Sequence, residues 1–376
     1  MRNISNKIYF LTDESPFPPH DGRKVPVANY YWQVEKRGYI PEVIVTHKEA
    51  VSKSPLAKMA EIWARIRPWG NYYTQENISS VDSEKLKNCG EAILFVAPAR
   101  LCGVAAKIKS TNPKLKIVLI LNDAQWSMYL EAFYYAIGRY KGGKKYDIFK
   151  GLLTPTTFFK EMTAYIVADV VLVQTKRELA RLPWLKNKAV IVPNSVPKPD
   201  VNWRGQNSTV FAMQVNFSNL RASKFKYFVT EVWPRIHAEN PRLTLELFGP
   251  GQAIPEWGKN IEGVSFVGRV DDLDIYLSDK RGFLVPLEHS TGISNTVLRG
   301  IALDMPMVIT ETSSRGVKAE FQPWPEARIK IAKTADDFVN YALTLDKGQA
   351  DGQSRQVFSW SENTDAILSR FDSVGK

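Results

Sequence analysis

Short apolar runs alternate with helical-period segments along the whole chain. Residues 7–12 (KIYFLT), 42–46, 92–97, 116–121, 170–174 (VVLVQ) and 189–192 form one series of such runs. Residues 209–215, 243–248, 264–267, 283–287 and 305–310 form a second. A continuous apolar run of this length is what a strand covered on both faces of a parallel sheet needs. Between the runs, apolar residues recur at three and four over 25–36, 102–110, 157–166, 176–182, 224–238, 272–277 and 294–303, which predicts helices. Strand–helix alternation in each half predicts an α/β protein of two doubly wound, Rossmann-like domains facing a cleft. Residues 197–208 (PKPDVNWRGQNS) are polar and aperiodic and read as the linker. The domains are then 1–196 and 209–355, with 356–376 closing the chain as a helix.

One stretch, 283–316, gathers the candidate chemistry. A buried strand ending in proline leads into a polar loop with Ser290, Thr291 and Gly292 at its apex, and a helix begins at 294. Free backbone N–H groups and the helix dipole at such a junction suit an anion, and a diphosphate is the expected ligand. An ordinary strand–helix crossover gives the same pattern. Two further strand ends carry polar groups. The first leads into DESPFPPHD (13–21), closed by Gly22, which is no GxGxxG fingerprint but brings His20 and Asp21 to a carboxyl end. The strand at 116–121 ends in Asn122 and Asp123, and an Asp there can accept a proton or cap the next helix.

Two stretches depart from the α/β rhythm. Over 51–73, Leu56, Met59, Ile62, Trp63, Ile66 and Trp69 recur at helical spacing among Lys and Arg, and 133–150 (FYYAIGRYKGGKKYDIFK) repeats the aromatic–basic theme. Such segments either pack on their own domain or lie in an anionic membrane surface. The formal charge of +11 and the isoelectric point near 9.4 favour an anionic partner without choosing one. No recognition-helix, zinc-finger or RNP-type pattern points to nucleic acid. Cys89 and Cys102 make neither a disulfide framework nor a zinc site, and His20, His47, His237 and His289 lack metal-ligand spacing. No run approaches the roughly 18 apolar residues of a membrane span, and no signal peptide is apparent, so a cytoplasmic protein is expected.

With these residues in place, the chain resembles the GT-B glycosyltransferases, particularly glycosyltransferase family 4 and its relatives. The resemblance rests on PFPPHDG (16–22), ADVVLVQT (168–175) followed by VIVPNSV (190–196), EVWP (231–234) followed by LTLELFGPG (243–251), GRVDDL (268–273), and PLEHSTG (286–292) followed by PMVIT (306–310) and Gly316. It covers nearly the whole chain.

The resemblance implies transfer of a sugar from a nucleoside diphosphate sugar, held mainly by the C-terminal domain, to a saccharide or lipid-linked acceptor in surface glycan assembly. It implies no metal and no cofactor, the nucleotide sugar being a co-substrate. Donor-diphosphate contacts are expected from Ser290, Thr291, Gly292, Ile293 and Asn295, with Arg221, Lys224 (or Lys226) and Arg269 as candidate cations. The family's lysine and glutamate in this helix read Thr296 and Arg299 here, so Arg299 is expected to supply the phosphate charge. That departure also admits a non-catalytic GT-B protein that binds a nucleotide or glycan. The acceptor is expected at Gly22 and Asn122. Asp123 or Asp21 would be the base of an inverting reaction, His20 faces the same cleft, and Glu288 would read donor-sugar hydroxyls. Relatives retain configuration, and retention is expected here.

Overall fold

The structure is a computed structural model that describes residues 6–19, 22–48, 76–121, 126–127, 129–130, 133, 152, 154–215, 223–250, 256–287, 292–345 and 353–372. The chain divides into two compact units, Met1–Pro193 with Trp360–Lys376, and Asn194–Ser359.

The strands of the first unit are β1 (Lys7–Thr12), β2 (Ile40–Val45), the two-residue β3 (His47–Lys48) and β4 (Glu76–Asn77), β5 (Ile93–Ala97), β6 (Lys116–Ile120), β7 (Val170–Val173) and β8 (Ala189–Ile191). β3 and β4 pair antiparallel, and the others form one parallel sheet of order β2-β1-β5-β6-β7-β8. Because side chains alternate across a strand, Tyr9 and Leu11 enter the core on one face while Ile8 and Phe10 enter that on the other. Phe10 stacks on Phe95 of β5 at 4.8 Å. The helices are α1 (Lys24–Glu35), α2 (Ser80–Asn88), α3 (Cys102–Thr111), α4 (Thr154–Val167) and α5 (Lys176–Arg181). The 51–73 segment and nearly all of 133–150 lie outside the described residues.

The second unit repeats the plan with β9 (Val210–Gln214), β10 (Thr244–Phe248), β11 (Val264–Gly268), β12 (Gly282–Val285), β13 (Met307–Thr310) and β14 (Ile329–Ala332), all parallel in the order β11-β10-β9-β12-β13-β14. The helix expected over 224–238 is interrupted: α6 (Ser223–Tyr227) and α7 (Trp233–Glu239) flank a π-helical turn, Phe228–Val232. Pro234 explains the interruption. It has no N–H to donate and its ring crowds the carbonyl four residues back, and a wider turn relieves both. The remaining helices are α8 (Leu273–Ser278), α9 (Asn295–Ala302), α10 (Glu311–Glu320) and α11 (Ala335–Thr344).

Two boundaries differ from the sequence expectation. The segment expected as a linker is packed into the second unit: Trp203 is buried, its indole N–H donates to the Lys280 carbonyl at 2.7 Å, and Val196 bridges Val357. The last helix, α12 (Trp360–Asp372), belongs to the first unit. Trp360 meets Tyr30 edge-on at 5.3 Å, and Arg37 of the loop after α1 binds Asp365 at 2.7 Å.

Candidate functional site

In the second sheet the chain builds outward from β9 through β10 to β11, then returns to the other side of β9 with β12. The carboxyl ends of β9 and β12 therefore flank a topological switch point, where open α/β sheets bind ligands. Gln214 ends β9, Pro286 and Leu287 follow β12, and α9 starts beyond them.

Three contacts fix the start of α9. The Ser294 hydroxyl caps it, accepting from the Val297 N–H at 3.4 Å. In the first turn, the Thr296 hydroxyl donates to Gln214 Oε1 at 3.0 Å, tying the helix to the end of β9. Asn194 Nδ2 donates to Asn295 Oδ1 at 3.0 Å. The loop residue Gly292 is pressed onto α10, where a Cβ at Gly316 would stand 2.5 Å from the Gly292 carbonyl oxygen. Only glycine permits that approach. Gly249, at the end of β10, is similar: φ is +140° and a Cβ would stand 2.0 Å from the Val215 oxygen.

The first turn of α9 carries no acidic residue, whereas α8 has Asp274, α10 Glu311 and α11 Asp336 and Asp337. The positive end of α9 is thus not offset from within its own first turn. Arg299, one turn further on, points elsewhere: its Nη1 donates to both carboxylate oxygens of Asp274, at 3.0 and 2.9 Å. Burial pushes the Asp274 carboxyl above its ordinary range, and the Arg299 charge pulls it back. Arg299, expected as the phosphate cation, is therefore held by a carboxylate 25 positions earlier in the sequence, and no spacing rule shows such a pair.

Of the other expected donor residues, Ile293 is buried in the core under α9. Arg269 is exposed, just after β11. Lys224 lies on α6, and nothing is described of its side chain. Arg221, Glu288, Ser290 and Thr291 lie outside the described residues, as do His20, Asp21, Asn122 and Asp123.

The first unit has a switch point of its own, between β1 and β5. Thr12, Asp13, Glu14, Pro16, Arg23 and Lys24 line a pocket there with Ala97 and Pro98. Asp13 pairs with Arg100, and Glu14 pairs with Arg23 and Lys24, each at 3.2 Å. Thr12 is 4% exposed, and its buried hydroxyl has no hydrogen-bond partner among the described residues. Gly22 is exposed in the turn before α1. The sequence reading missed Asp13 and Glu14, although a carboxylate pair directly after a strand's carboxyl end is a readable signal. The contribution of Arg100 from beyond β5 is not readable without the sheet order. Among the described residues, no group of three or more His, Cys, Asp or Glu could hold a metal, and no helix is long and apolar enough to cross a membrane.

The structure is similar to Anabaena Alr3699/HepE in complex with UDP and glucose, at 12% identity and a TM-score of 0.58, over 97% of this chain and 99% of that one. It is also similar to a glycosyltransferase from Rickettsia africae, at 9% identity, TM-score 0.56, and 98% and 95% coverage. An alpha,alpha-trehalose 6-phosphate synthase from Burkholderia multivorans matches at 10% identity, TM-score 0.54, and 98% and 93% coverage. At such identities the likeness establishes the GT-B fold alone. A comparison of the sequence with curated proteins finds no match. The family model for glycosyl transferases group 1 matches residues 209–345, which contain β9 to α11 and the start of α9. Residues 209–345 of the second unit thus match the glycosyl transferases group 1 model, and the chain has the GT-B fold.

Proposed function

We propose that the protein moves a glycosyl group from a nucleoside diphosphate sugar to a saccharide, with retention of configuration and without a metal. The single observation that carries the donor half is the start of α9: a helix end at the sheet's switch point, with no carboxylate in its first turn, braced by Gln214 and by Gly316. The leaving group of such a transfer is a diphosphate whose charge grows as the glycosidic bond breaks. Backbone N–H groups fixed in advance stabilise that charge without reorganising. The HepE structure holds UDP and glucose, which is the ligand chemistry expected here. Ser290, Thr291, Gly292 and Asn295 are the assigned diphosphate contacts, with Arg221, Lys224 and Arg269 the nearest candidate cations in sequence, and Glu288 the reader of the sugar.

In this reading the first unit takes the acceptor at its own switch point, with Thr12, Gly22 and the loop carrying His20 and Asp21 beside Asn122 and Asp123. The acceptor is a lipid-linked or growing saccharide of a surface glycan, met at the inner face of a membrane. The test is release of nucleoside diphosphate from a panel of donor sugars, with saccharide acceptors and EDTA present. Acceptor-dependent release from one donor is expected, and release that needs a divalent cation would contradict the metal-free assignment.

One observation favours a second reading, a protein that binds nucleotide or glycan without transfer. Arg299 is paired with Asp274 and Thr296 is uncharged, so α9 brings no free cation to a phosphate. Nucleotide binding with no release from any donor would select it.

A further inference from the structure

The pocket at the first unit's switch point contains a buried polar group that the described residues leave without a partner. Side chains alternate across β1, so Thr12 lies on the face that carries Ile8 and Phe10, which α1 covers with Val27 and Tyr30. Thr12 therefore lines the pocket beneath the start of α1, beside Val27 and Ala97, and its hydroxyl is out of water. A hydroxyl buried without a partner is destabilising, and an oxygen brought into the pocket removes that cost.

The charges at the rim converge on one carboxylate. Arg23 and Lys24, where α1 begins, both reach Glu14, each at 3.2 Å, and the Glu14 side chain is 46% exposed. A solvent-facing carboxylate held by two cations marks a place for an anion. Exposed pairs of this kind add little stability, so a better-matched anion can displace it. Asp13 is held separately by Arg100, so three cations face two acids, and the first turn of α1 carries no acid. The positive end of that helix favours the same sign of ligand. Val27 and Ala97 are buried apolar walls, which strengthen any charge interaction made against them.

We propose that this pocket takes an anionic group, a phosphate or a carboxylate, carried by the acceptor saccharide. Its oxygens replace the Glu14 carboxylate on Arg23 and Lys24, and one of them accepts from the Thr12 hydroxyl. The inference rests on the reading above that the first unit takes the acceptor, and it names the class: an acidic or phosphorylated sugar. A neutral sugar fits less well. Its hydroxyls cannot displace a carboxylate from two cations, whereas anionic oxygens make charge-assisted bonds to a guanidinium and an ammonium.

The experiment is calorimetric titration of the full chain with glucose, glucose 6-phosphate and glucuronate, in EDTA, with and without saturating UDP. In UDP, the wild type is expected to bind one anionic sugar at least about tenfold more tightly than glucose, the scale of a charge-assisted bond. Whichever anion binds more tightly separates phosphate from carboxylate. Thr12→Val should weaken that sugar by about tenfold, and Thr12→Ser should restore it, which a purely structural role for Thr12 would not require. Glu14→Gln should tighten it by about threefold, because the competing carboxylate is gone. Each variant is checked against the wild-type far-ultraviolet spectrum.

Three results would overturn the proposal. Glucose bound as tightly as both anions and weakened equally by Thr12→Val would keep the acceptor in this pocket but remove the anionic class. Anion binding absent, or unmoved by Thr12→Val and Glu14→Gln, would remove the site, and glucose binding equally unmoved would take the acceptor away from this pocket as well. Anion binding that UDP abolishes would assign the anion to the donor site.

Discussion

The two units use one sheet topology to build two kinds of crevice. Each sheet reverses its strand order beside its first strand, and each places polar residues at the carboxyl ends there. In the first unit those residues are full charges already paired with one another: Asp13 with Arg100, and Glu14 with Arg23 and Lys24. In the second they are neutral hydrogen-bonding groups around a helix start, and its nearby ion pair, Arg299 with Asp274, is closed on itself. Backbone dipoles hold their orientation while charge develops on a leaving group. Paired side chains can exchange partners when a polar ligand arrives, as an acceptor with many hydroxyls requires. Under the proposed function, the difference between the crevices is a division of labour between leaving-group stabilisation and acceptor recognition.

The contrast breaks most directly at Gly316. Gly316→Val places a methyl-bearing carbon where 2.5 Å separates it from the Gly292 oxygen, so the loop must move. Overpacking of this kind costs about 1–3 kcal/mol, read from the denaturant midpoint. Nucleoside diphosphate affinity should fall at least about tenfold by calorimetry, the usual scale for losing preorganised donors. Affinity equal to wild type would separate this loop from the donor site.

Arg299→Ala tests whether the ion pair is structural. It leaves the half-buried Asp274 without its cation, for a loss of about 1–3 kcal/mol. The sign with pH follows from the carboxyl's raised value. The unfolded chain releases the proton first, so stability falls as pH rises from the unfolded value towards the folded one. Without Arg299 the folded value rises further, and the variant's deficit should grow from pH 5 to pH 8. Arg299→Ala/Asp274→Asn should recover most of it. A deficit that does not change with pH would mean that Asp274 is not the partner that matters.

Thr296→Val removes the bond to Gln214 while keeping the shape, and should cost about 1 kcal/mol of nucleotide affinity, roughly fivefold. The smallest effect is expected in the other crevice. Glu14→Gln loosens a partly exposed charge cluster, with a stability change of at most about 1 kcal/mol and no change in nucleotide affinity. Its effect should appear in KM for the acceptor. A change in nucleotide affinity instead would erase the division of labour.

Most of the fold was legible because buried parallel strands read as apolar runs. The strand at 7–12 agrees to the residue, and those at 116–121, 170–174 and 209–215 to within one at either end. What escaped lacks that signature. β14 reads IKIA, four residues with a lysine inside, as suits an edge strand. α2 buries only Leu86 and shows no period. α11 could have been found from its capping box, Thr334 with Asp337. The strand and helix that flank the expected anion site were legible, because they are contiguous. The roles of Gln214, Asn194 and Asp274 were not, because each reaches α9 from a distant part of the chain.

The most direct measurement is a thermal-shift titration of the full chain with nucleoside diphosphates in EDTA. A working donor site predicts stabilisation by one nucleotide, about 2.7 kcal/mol at a hundred times its dissociation constant, that Gly316→Val cuts to about 1.4 kcal/mol or less and Glu14→Gln leaves intact. No shift with any nucleotide, or a shift abolished by Glu14→Gln and not by Gly316→Val, would contradict a donor site at the start of α9.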